Sequence, residues 1–177
     1  MAVASGMEYL HDRGIFHGLL NSKNVAIIFD EGKNPSGTWN LCRVAVTDYG
    51  LPFLRRNFEL MPDVQARHAA WLPPEVLLGD EAKMEGDSWS YGIILWELLT
   101  GFVPWPGKAR DDLTALARKG QLILPLSLQD NYEQPPGYCE VMNDCMRRET
   151  QDRPSMRRVL ERFRDLSRSW GGDYLPG

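Results

Sequence analysis

The chain has 177 residues, of which 43% are hydrophobic and 25% are charged. This length and balance are typical of one globular domain that is long enough to bury a substantial core. The 24 acidic residues against 20 basic ones give a net charge of −4. That charge argues against a surface that binds nucleic acid or an anionic membrane.

Cysteine spacing and hydropathy favour a cytoplasmic, soluble protein. Cys42, Cys139 and Cys145 have no Cys-x-x-Cys spacing, so they predict neither a zinc site nor a disulfide framework, and free thiols suit a reducing compartment. The most apolar run, about Tyr91 to Leu99, is too short to cross a bilayer. The N-terminus lacks the charged-then-apolar layout of a signal peptide.

The first predicted element is a helix over residues 2 to about 12. Apolar side chains recur at helical spacing along one face, at Val3, Met7 and Leu10. Gly14 lies just past the end of this pattern, as is usual where a helix stops.

A small β-hairpin is predicted next. Val25 to Phe29 and Leu41 to Val46 are short runs of strand-favouring residues, and the polar stretch Asp30 to Asn40 between them contains turn-forming glycine and proline. Leu51 to Trp71 has no clean period and is predicted to be extended and irregular.

Four helices are predicted from Asp87 to the end of the chain. Asp87 is the expected N-cap of a helix that is apolar nearly all round, which favours a central, buried position. Shorter helices are predicted over Asp111 to Lys119 and about Gly137 to Met146, and a last one follows Pro154. The fold class predicted from this order is α+β, mostly α.

Six short motifs occur in a fixed order along these elements. They are Met7-Glu8-Tyr9-Leu10-His11, His17 to Asn24, Asp48-Tyr49-Gly50, Leu72-Pro73-Pro74-Glu75, Asp87 to Gly92, and Arg153-Pro154-Ser155-Met156. Together they resemble the C-terminal lobe of a eukaryotic protein kinase domain, from the helix before the catalytic loop to the last helix. The resemblance covers residues 1–170 and leaves 171–177 as a short tail.

Two features refine the resemblance. Trp96-Glu97-Leu98, together with Trp71 before the P-P-E motif, is similar to the tyrosine-kinase and tyrosine-kinase-like groups. The catalytic-loop and D-Y-G-L segments also resemble, locally, the kinase-homology domains of receptor guanylyl cyclases.

The resemblance implies that the catalytic loop has lost its chemistry. The family pattern is H-R-D-L-K-x-x-N, and Leu19 stands at the position of the catalytic aspartate, with Gly18 and Asn21 at those of the arginine and lysine. A leucine cannot accept a proton or orient a hydroxyl, and a neutral asparagine cannot replace a lysine beside the γ-phosphate. No catalytic residue of the loop is therefore intact.

By resemblance, the chain retains candidate residues for a vestigial nucleotide site. Asn24 and Asp48 match the two family ligands for Mg²⁺, which prefers oxygen ligands, although both can instead hydrogen-bond within the loop and hairpin. Ala26 lies where the family places a larger apolar side chain under the adenine ring, so this contact is weak. Lys23 can turn toward a phosphate, but a solvated loop lysine is the simpler interpretation.

Other matched positions hold the family fold together. By resemblance, His17 stacks with Tyr49, and Glu75 forms a buried ion pair with Arg153. Asp87 is implied to hydrogen-bond the backbone of the catalytic loop as well as capping its own helix.

The segment between Tyr49 and Glu75 corresponds, by resemblance, to the activation segment of a kinase, and its residues bear independently on activity. Between Tyr49 and Glu75 the sequence has no serine, threonine or tyrosine, so phosphorylation there has no acceptor. Gly18 replaces the arginine that would pair with such a phosphate. Both losses indicate a segment that no longer serves regulated catalysis.

We therefore expect a pseudokinase C-lobe that serves as a signalling interaction or allosteric module, with another signalling protein or kinase as its partner. The N-terminal lobe is expected to be absent from this chain, so no cofactor is expected, and ATP with Mg²⁺ only when such a lobe is present. The alternative is a divergent ATP-dependent kinase, specific for Ser/Thr or Tyr, whose N-lobe is missing here. A third hypothesis is the regulatory kinase-homology segment of a larger signalling protein.

Overall fold

A computed structural model describes residues 1–33, 39–49, 68–126 and 135–169 of the chain. Its helices are, in order, α1 (Ala2–His11), α2 (Pro74–Leu77), α3 (Met84–Thr100), α4 (Arg110–Arg118), α5 (Tyr138–Cys145) and α6 (Met156–Ser169). Two strands, β1 (Val25–Lys33) and β2 (Trp39–Val46), lie between α1 and α2. Single 3₁₀ turns cover Ser22–Asn24, Ala69–Trp71 and Thr150–Asp152. The predicted mostly helical α+β class with one small hairpin is confirmed.

The hairpin is longer than predicted. β1 pairs antiparallel with β2, with Val25 opposite Val46 and Ala26 opposite Ala45. The strands take up most of the stretch that was predicted to be a polar loop from residue 30 to residue 40, so that prediction is wrong at both ends. Antiparallel pairing satisfies backbone N–H and C=O groups whatever the side chain, so polar residues can continue a strand that apolar ones begin.

Helix α3 lies at the centre of the fold, as predicted. Thirteen of its 17 residues are buried, and its apolar side chains belong to one core that also includes α1, α4, α5 and α6. The helix begins at Met84 after Lys83, so the prediction that Asp87 is its N-cap is wrong. The Asp87 carboxylate bonds instead to a different segment of the chain.

The remaining helices pack around α3 and the hairpin. α5 packs on α3, α1 packs on both α6 and β2, and the one-turn helix α2 packs on α4. The amphipathic pattern of α6 buries Met156, Val159, Leu160 and Phe163, and α4 and α5 lie within two residues of their predicted bounds. Helix α2 was not predicted, because a single turn gives no periodic signal.

Several sequence predictions fall outside the described residues. These include most of the irregular segment from residue 51 to residue 71 and the tail over 171–177. The domain boundary at residue 170 stays a prediction. Within the described part of the chain, none of the helices combines the length and the apolar character needed to cross a bilayer.

Candidate functional site

The candidate site is the loop from residue 17 to residue 24, which connects α1 to β1. Asp87 of α3 holds the start of this loop: its Oδ2 accepts a hydrogen bond from the backbone N–H of His17 at 2.7 Å, and its Oδ1 accepts one from Gly18 at 2.8 Å. His11 Nε2 also lies 2.8 Å from Asp87 Oδ2. Because Asp87 is only 1% exposed, these three contacts satisfy a carboxylate that burial would otherwise penalise.

His17 joins the loop to the end of the hairpin. Its side chain is fully buried, and Nε2 lies 2.9 Å from the carbonyl oxygen of Thr47. A carbonyl only accepts, so Nε2 carries the proton, and Nδ1 is left to accept from Leu19 N–H at 3.4 Å. The stack of His17 on Tyr49 implied by resemblance stays a prediction; Tyr49 is 52% exposed, and both ring nitrogens of His17 bond to backbone.

Leu19, which stands at the position of the catalytic aspartate by resemblance, is a core residue. Its side chain is 9% exposed and packs in the same apolar core as α3. Its polar contacts are made by the backbone: the N–H donates to His17 Nδ1, and the carbonyl oxygen accepts from Asn21 Nδ2 at 2.7 Å and from Asn24 Nδ2 at 3.1 Å. The position therefore supplies an apolar contact and a backbone acceptor, and no side-chain base.

The side chain of Asn21 is turned into the protein. Its side chain is fully buried, and its Oδ1 accepts from Lys23 N–H at 2.9 Å, which caps the 3₁₀ turn. Its Nδ2 donates to Leu19 and lies 3.1 Å from His68 Nδ1. Both amide hydrogens are thus directed at partners within the protein. Sequence reasoning predicted the loss of the lysine charge but missed this inward orientation.

The two candidate metal ligands differ in environment. Asn24 is 7% exposed, and no described residue donates to its side-chain oxygen, while its backbone oxygen accepts from Thr47 N–H at 2.9 Å. Asp48 is exposed and has a left-handed φ of 60°, a conformation that aspartate tolerates better than most residues. Both offer oxygen ligands that suit Mg²⁺. Among the described residues, no cluster of three or more His, Cys, Asp or Glu forms a metal site.

Ala26 lies in β1 opposite Ala45 of β2. Two alanines facing each other give this part of the hairpin little side-chain volume, which fits the weak adenine contact expected for Ala26. The neighbouring apolar side chains Ile27 and Phe29 are 57% and 51% exposed.

The Glu75–Arg153 pair ties α2 to the segment before α6. Arg153 Nη1 and Nη2 lie 2.7 and 2.8 Å from the two carboxylate oxygens of Glu75, a bidentate arrangement. The three remaining N–H groups of the guanidinium donate to the carbonyl oxygens of Arg147, at 2.8 Å, Arg148, at 3.0 Å, and Glu85, at 3.3 Å. The Arg153 side chain is fully buried, so its charge depends on these contacts.

Glu97 is a residue of the site that sequence reasoning missed. Its carboxylate accepts from Ser22 Oγ at 3.0 Å and from Trp71 Nε1 at 2.9 Å, so it joins the catalytic loop to the segment before α2. Burial raises the pKa of Glu97 above its usual value, although both hydrogen bonds act in the opposite direction. The Lys23 ammonium lies 5.8 Å from the Trp71 ring centroid, which adds a cation–π contact. The W-E-L motif was the signal that could have drawn attention to Glu97.

The anchored loop, the two-stranded hairpin and the buried central helix define the C-terminal lobe of a protein-kinase-like domain. A model of the protein tyrosine and serine/threonine kinase family matches residues 1–163, and the chain belongs to that family. The kinase resemblance inferred from the motifs is therefore confirmed.

Three relatives illustrate the range of the match. The chain is 31% identical over 160 residues to mitogen-activated protein kinase kinase kinase 12 of Rattus norvegicus, which covers 90% of this chain and 16% of that protein. It is 31% identical over 170 residues to a mitogen-activated protein kinase kinase kinase of Drosophila melanogaster, covering 93% and 14%. It is 28% identical over 185 residues to vascular endothelial growth factor receptor 1 of Homo sapiens, covering 98% and 12%. The chain thus spans less than a fifth of the length of each.

Proposed function

We propose that this chain is the C-lobe of a catalytically inactive protein-kinase-like domain that acts as a signalling interaction or allosteric module. The observation that carries the proposal is the inward packing of the catalytic loop. Leu19, at the position of the acid, packs in the core. Asn21, at the position of the lysine, uses its side-chain amide for hydrogen bonds within the loop. Neither side chain is directed toward a substrate.

The absence of a side-chain base at Leu19 should lower the rate of phosphoryl transfer by a large factor. Such transfer depends on positioning and charge stabilisation, and general-base assistance alone contributes about 10²- to 10⁴-fold. The acids of α3 near the loop do not compensate. Asp87 is buried against the backbone of residues 17 and 18, and both oxygens of Glu97 accept hydrogen bonds from Ser22 and Trp71.

The contacts that hold the fold together support the proposed role as an interaction or allosteric module. Asp87 still fixes the loop, and Glu75 still pairs with Arg153, so the shape that a partner would recognise is kept without the chemistry. The partner we propose is another signalling protein or kinase in the cytosol. Cys139 and Cys145 form no disulfide among the described residues, which is consistent with that compartment. Burial raises the pKa of Cys145 to about 12, which makes it unreactive.

A divergent ATP-dependent kinase is the second candidate. It is favoured by two exposed side chains at the site, Lys23 and Asp48, which offer a cation for a phosphate and a carboxylate for Mg²⁺. When bound with an N-terminal lobe, ATP and Mg²⁺ would supply the phosphoryl group and its charge neutralisation. Asn24 and Asp48 would hold the metal, and Ala26 would lie under the base.

The deciding experiment uses the natural full-length protein, including any N-terminal lobe. Phosphotransfer and nucleotide-dependent thermal shift are measured for the wild type, for Asp48→Ala, and for the matched control Asp111→Ala, an exposed aspartate of α4. The proposal expects no turnover above background in any of the three. Robust turnover that Asp48→Ala abolishes and Asp111→Ala retains would establish the divergent kinase instead.

A further inference from the structure

An apolar pocket of about 490 Å³ lies between α3, the hairpin and the start of α5. One wall is a stripe of α3 whose residues recur at intervals of three and four, which places them on one face of the helix: Tyr91, Ile94, Leu95 and Leu98. The other walls include Val25, Val44, Tyr138 and Phe163. Protein pockets that bind small molecules usually measure about 300–1,000 Å³, so this one, which we call the Tyr91 pocket, is large enough for a ligand.

The Tyr91 pocket is separate from the candidate nucleotide site. Val25 and Ile27 of β1 belong to its wall, and Ala26 between them does not. Because successive side chains of a strand point to opposite faces, Ala26 is directed away from the pocket. A ligand here would therefore not occupy the place beside Ala26 where the resemblance puts the adenine ring.

The hydroxyl of Tyr91 has no hydrogen-bond partner among the described residues. In that part of the chain, the fully enclosed side-chain nitrogens and oxygens without a partner are the indole nitrogens of Trp89 and Trp105. Although Tyr91 as a whole is only 2% exposed, its hydroxyl is therefore not sealed in the core but borders open space, and the Tyr91 pocket is the space that this residue lines. Burial raises the pKa of Tyr91, so the hydroxyl keeps its proton at neutral pH and can donate a hydrogen bond.

The other two side-chain hydroxyls of the described wall show the contrast. Tyr138 donates to the carbonyl oxygen of Leu95 at 2.9 Å, and Ser22 Oγ donates to Glu97 at 3.0 Å. Both groups are thus engaged within the protein, whereas the hydroxyl of Tyr91 is left for a ligand. A donor that is withdrawn from bulk water and has no protein partner strongly favours an acceptor placed beside it.

The charge of the wall narrows the kind of ligand. None of the described residues that line the pocket has a charged side chain. Aliphatic side chains and the rings of Tyr91, Tyr138 and Phe163 form most of the surface. An ion that entered would lose its hydration without gaining a counter-charge, which is costly, so the wall favours an uncharged molecule with an apolar body.

We propose that the Tyr91 pocket binds a neutral, largely apolar small molecule whose single acceptor atom receives a hydrogen bond from the Tyr91 hydroxyl. The apolar body of this ligand lies against the α3 stripe and the ring of Phe163. Binding at this site does not depend on whether the domain transfers phosphate.

The test uses the natural full-length protein, so that every segment that could border the pocket is present. Benzophenone has one carbonyl acceptor between two apolar rings, and diphenylmethane has the same two rings without the acceptor. Irradiation attaches bound benzophenone to neighbouring residues, which mass spectrometry identifies, and competition against this labelling gives the affinity of diphenylmethane. Saturable labelling of α3 or α5 is expected, with benzophenone bound at least about fivefold more tightly, the size of effect expected when a buried hydroxyl loses its partner.

Tyr91→Phe removes the hydroxyl and keeps the ring. Because that hydroxyl has no partner in the described fold, the variant without ligand should be at least as stable to heat as the wild type. It should bind benzophenone at least about fivefold more weakly and diphenylmethane no more weakly, so that the preference between the two ligands disappears.

Two other tyrosines provide matched controls for the same chemical change. Tyr9→Phe, at a residue of α1 that is 58% exposed and outside the pocket, should leave both affinities unchanged. Tyr138→Phe removes a hydroxyl that has a partner, so it should lower the unfolding temperature but keep the preference for benzophenone.

Three results would overturn the proposal. Equal affinities of the wild type for the two ligands would show that the pocket does not select an acceptor. A preference that survives Tyr91→Phe would show that another group makes the hydrogen bond. Absence of saturable labelling at α3 and α5 would show that water or another part of the protein fills the pocket.

Discussion

The individual side chains of the loop over residues 17–24 are held in place by packing and by hydrogen bonds within the protein. Asn21 turns its amide inward and caps the turn that follows, and Leu19 packs in the core. Both side chains therefore make contacts that hold the loop in place. We infer that placing an acid at residue 19 or a lysine at residue 21 would remove a packed or bonded side chain as well as add a charge.

The raised pKa of Glu97 predicts that the stability of the protein depends on pH. Burial raises its pKa in the folded state above the ordinary value of 4.5, so the folded protein holds this proton more tightly than the unfolded chain does. The resulting stability is fully present below about pH 4.5 and is lost as the pH rises through the folded pKa. The free energy of unfolding of the wild type, relative to Glu97→Gln, should therefore fall across this window and stay level above it.

Urea unfolding of both proteins at a series of pH values measures this difference. Ser22→Ala removes a hydrogen bond that favours the ionised form, so it should extend the fall to higher pH. Leu98→Gln, an exposed and non-titrating change on the same helix, should leave the difference from wild type independent of pH. A difference between wild type and Glu97→Gln that rises with pH would contradict the assignment.

At the scale of elements, the contact between α3 and α5 depends on a glycine. A Cβ at Gly92 would lie 2.6 Å from Met146 Cγ and 3.0 Å from Cys145 Cβ, so the two helices approach where no side chain intervenes. Gly92→Ala should destabilise the protein by about 1–3 kcal/mol through overpacking, despite the better helix propensity of alanine, which is worth about 1 kcal/mol.

Gly6 in α1 provides the matched control for that change. A Cβ there would lie 3.5 Å from Val46 Cγ2, which is an ordinary contact distance. Gly6→Ala should be neutral or stabilising by up to about 1 kcal/mol. Denaturant unfolding compares the two variants. Equal and small effects would mean that α3 and α5 are less closely packed than described.

The elements also show what the sequence could and could not predict. The apolar stripe of α6 and the all-round apolar pattern of α3 were sufficient to predict both helices and their buried faces. This is because burial selects apolar residues at every turn of a long helix. Asp87 was misassigned as a cap because its partners lie 70 and 69 positions away in the sequence, at His17 and Gly18. The inward orientation of Asn21 depends on tertiary packing, which local residue patterns do not contain.

At the scale of the whole molecule, one contiguous core joins helices from both ends of the chain. Its buried side chains run from Ala4 in α1 to Phe163 in α6. Small domains built on one core usually unfold in a single cooperative step. Damage at one end of the core should therefore be felt throughout the described fold.

Leu160→Ala tests this cooperativity. Leu160 is 3% exposed, and its truncation should destabilise the protein by about 2–5 kcal/mol, with tryptophan fluorescence and far-ultraviolet circular dichroism shifting to the same new midpoint. Arg164→Ala, at an exposed position of the same helix, should change the stability by no more than about 0.5 kcal/mol. Separate midpoints for the two signals would show that α6 unfolds independently of α3.

The way in which Asp87 holds the catalytic loop has a consequence for how this domain tolerates change. Its carboxylate contacts the backbone N–H groups of residues 17 and 18, and every amino acid except proline supplies such a group. The anchor is therefore indifferent to which side chains stand at those two positions. A change of side chain at either position therefore leaves these two anchoring hydrogen bonds intact, whereas a proline at residue 18 would remove the donor on which the anchor depends.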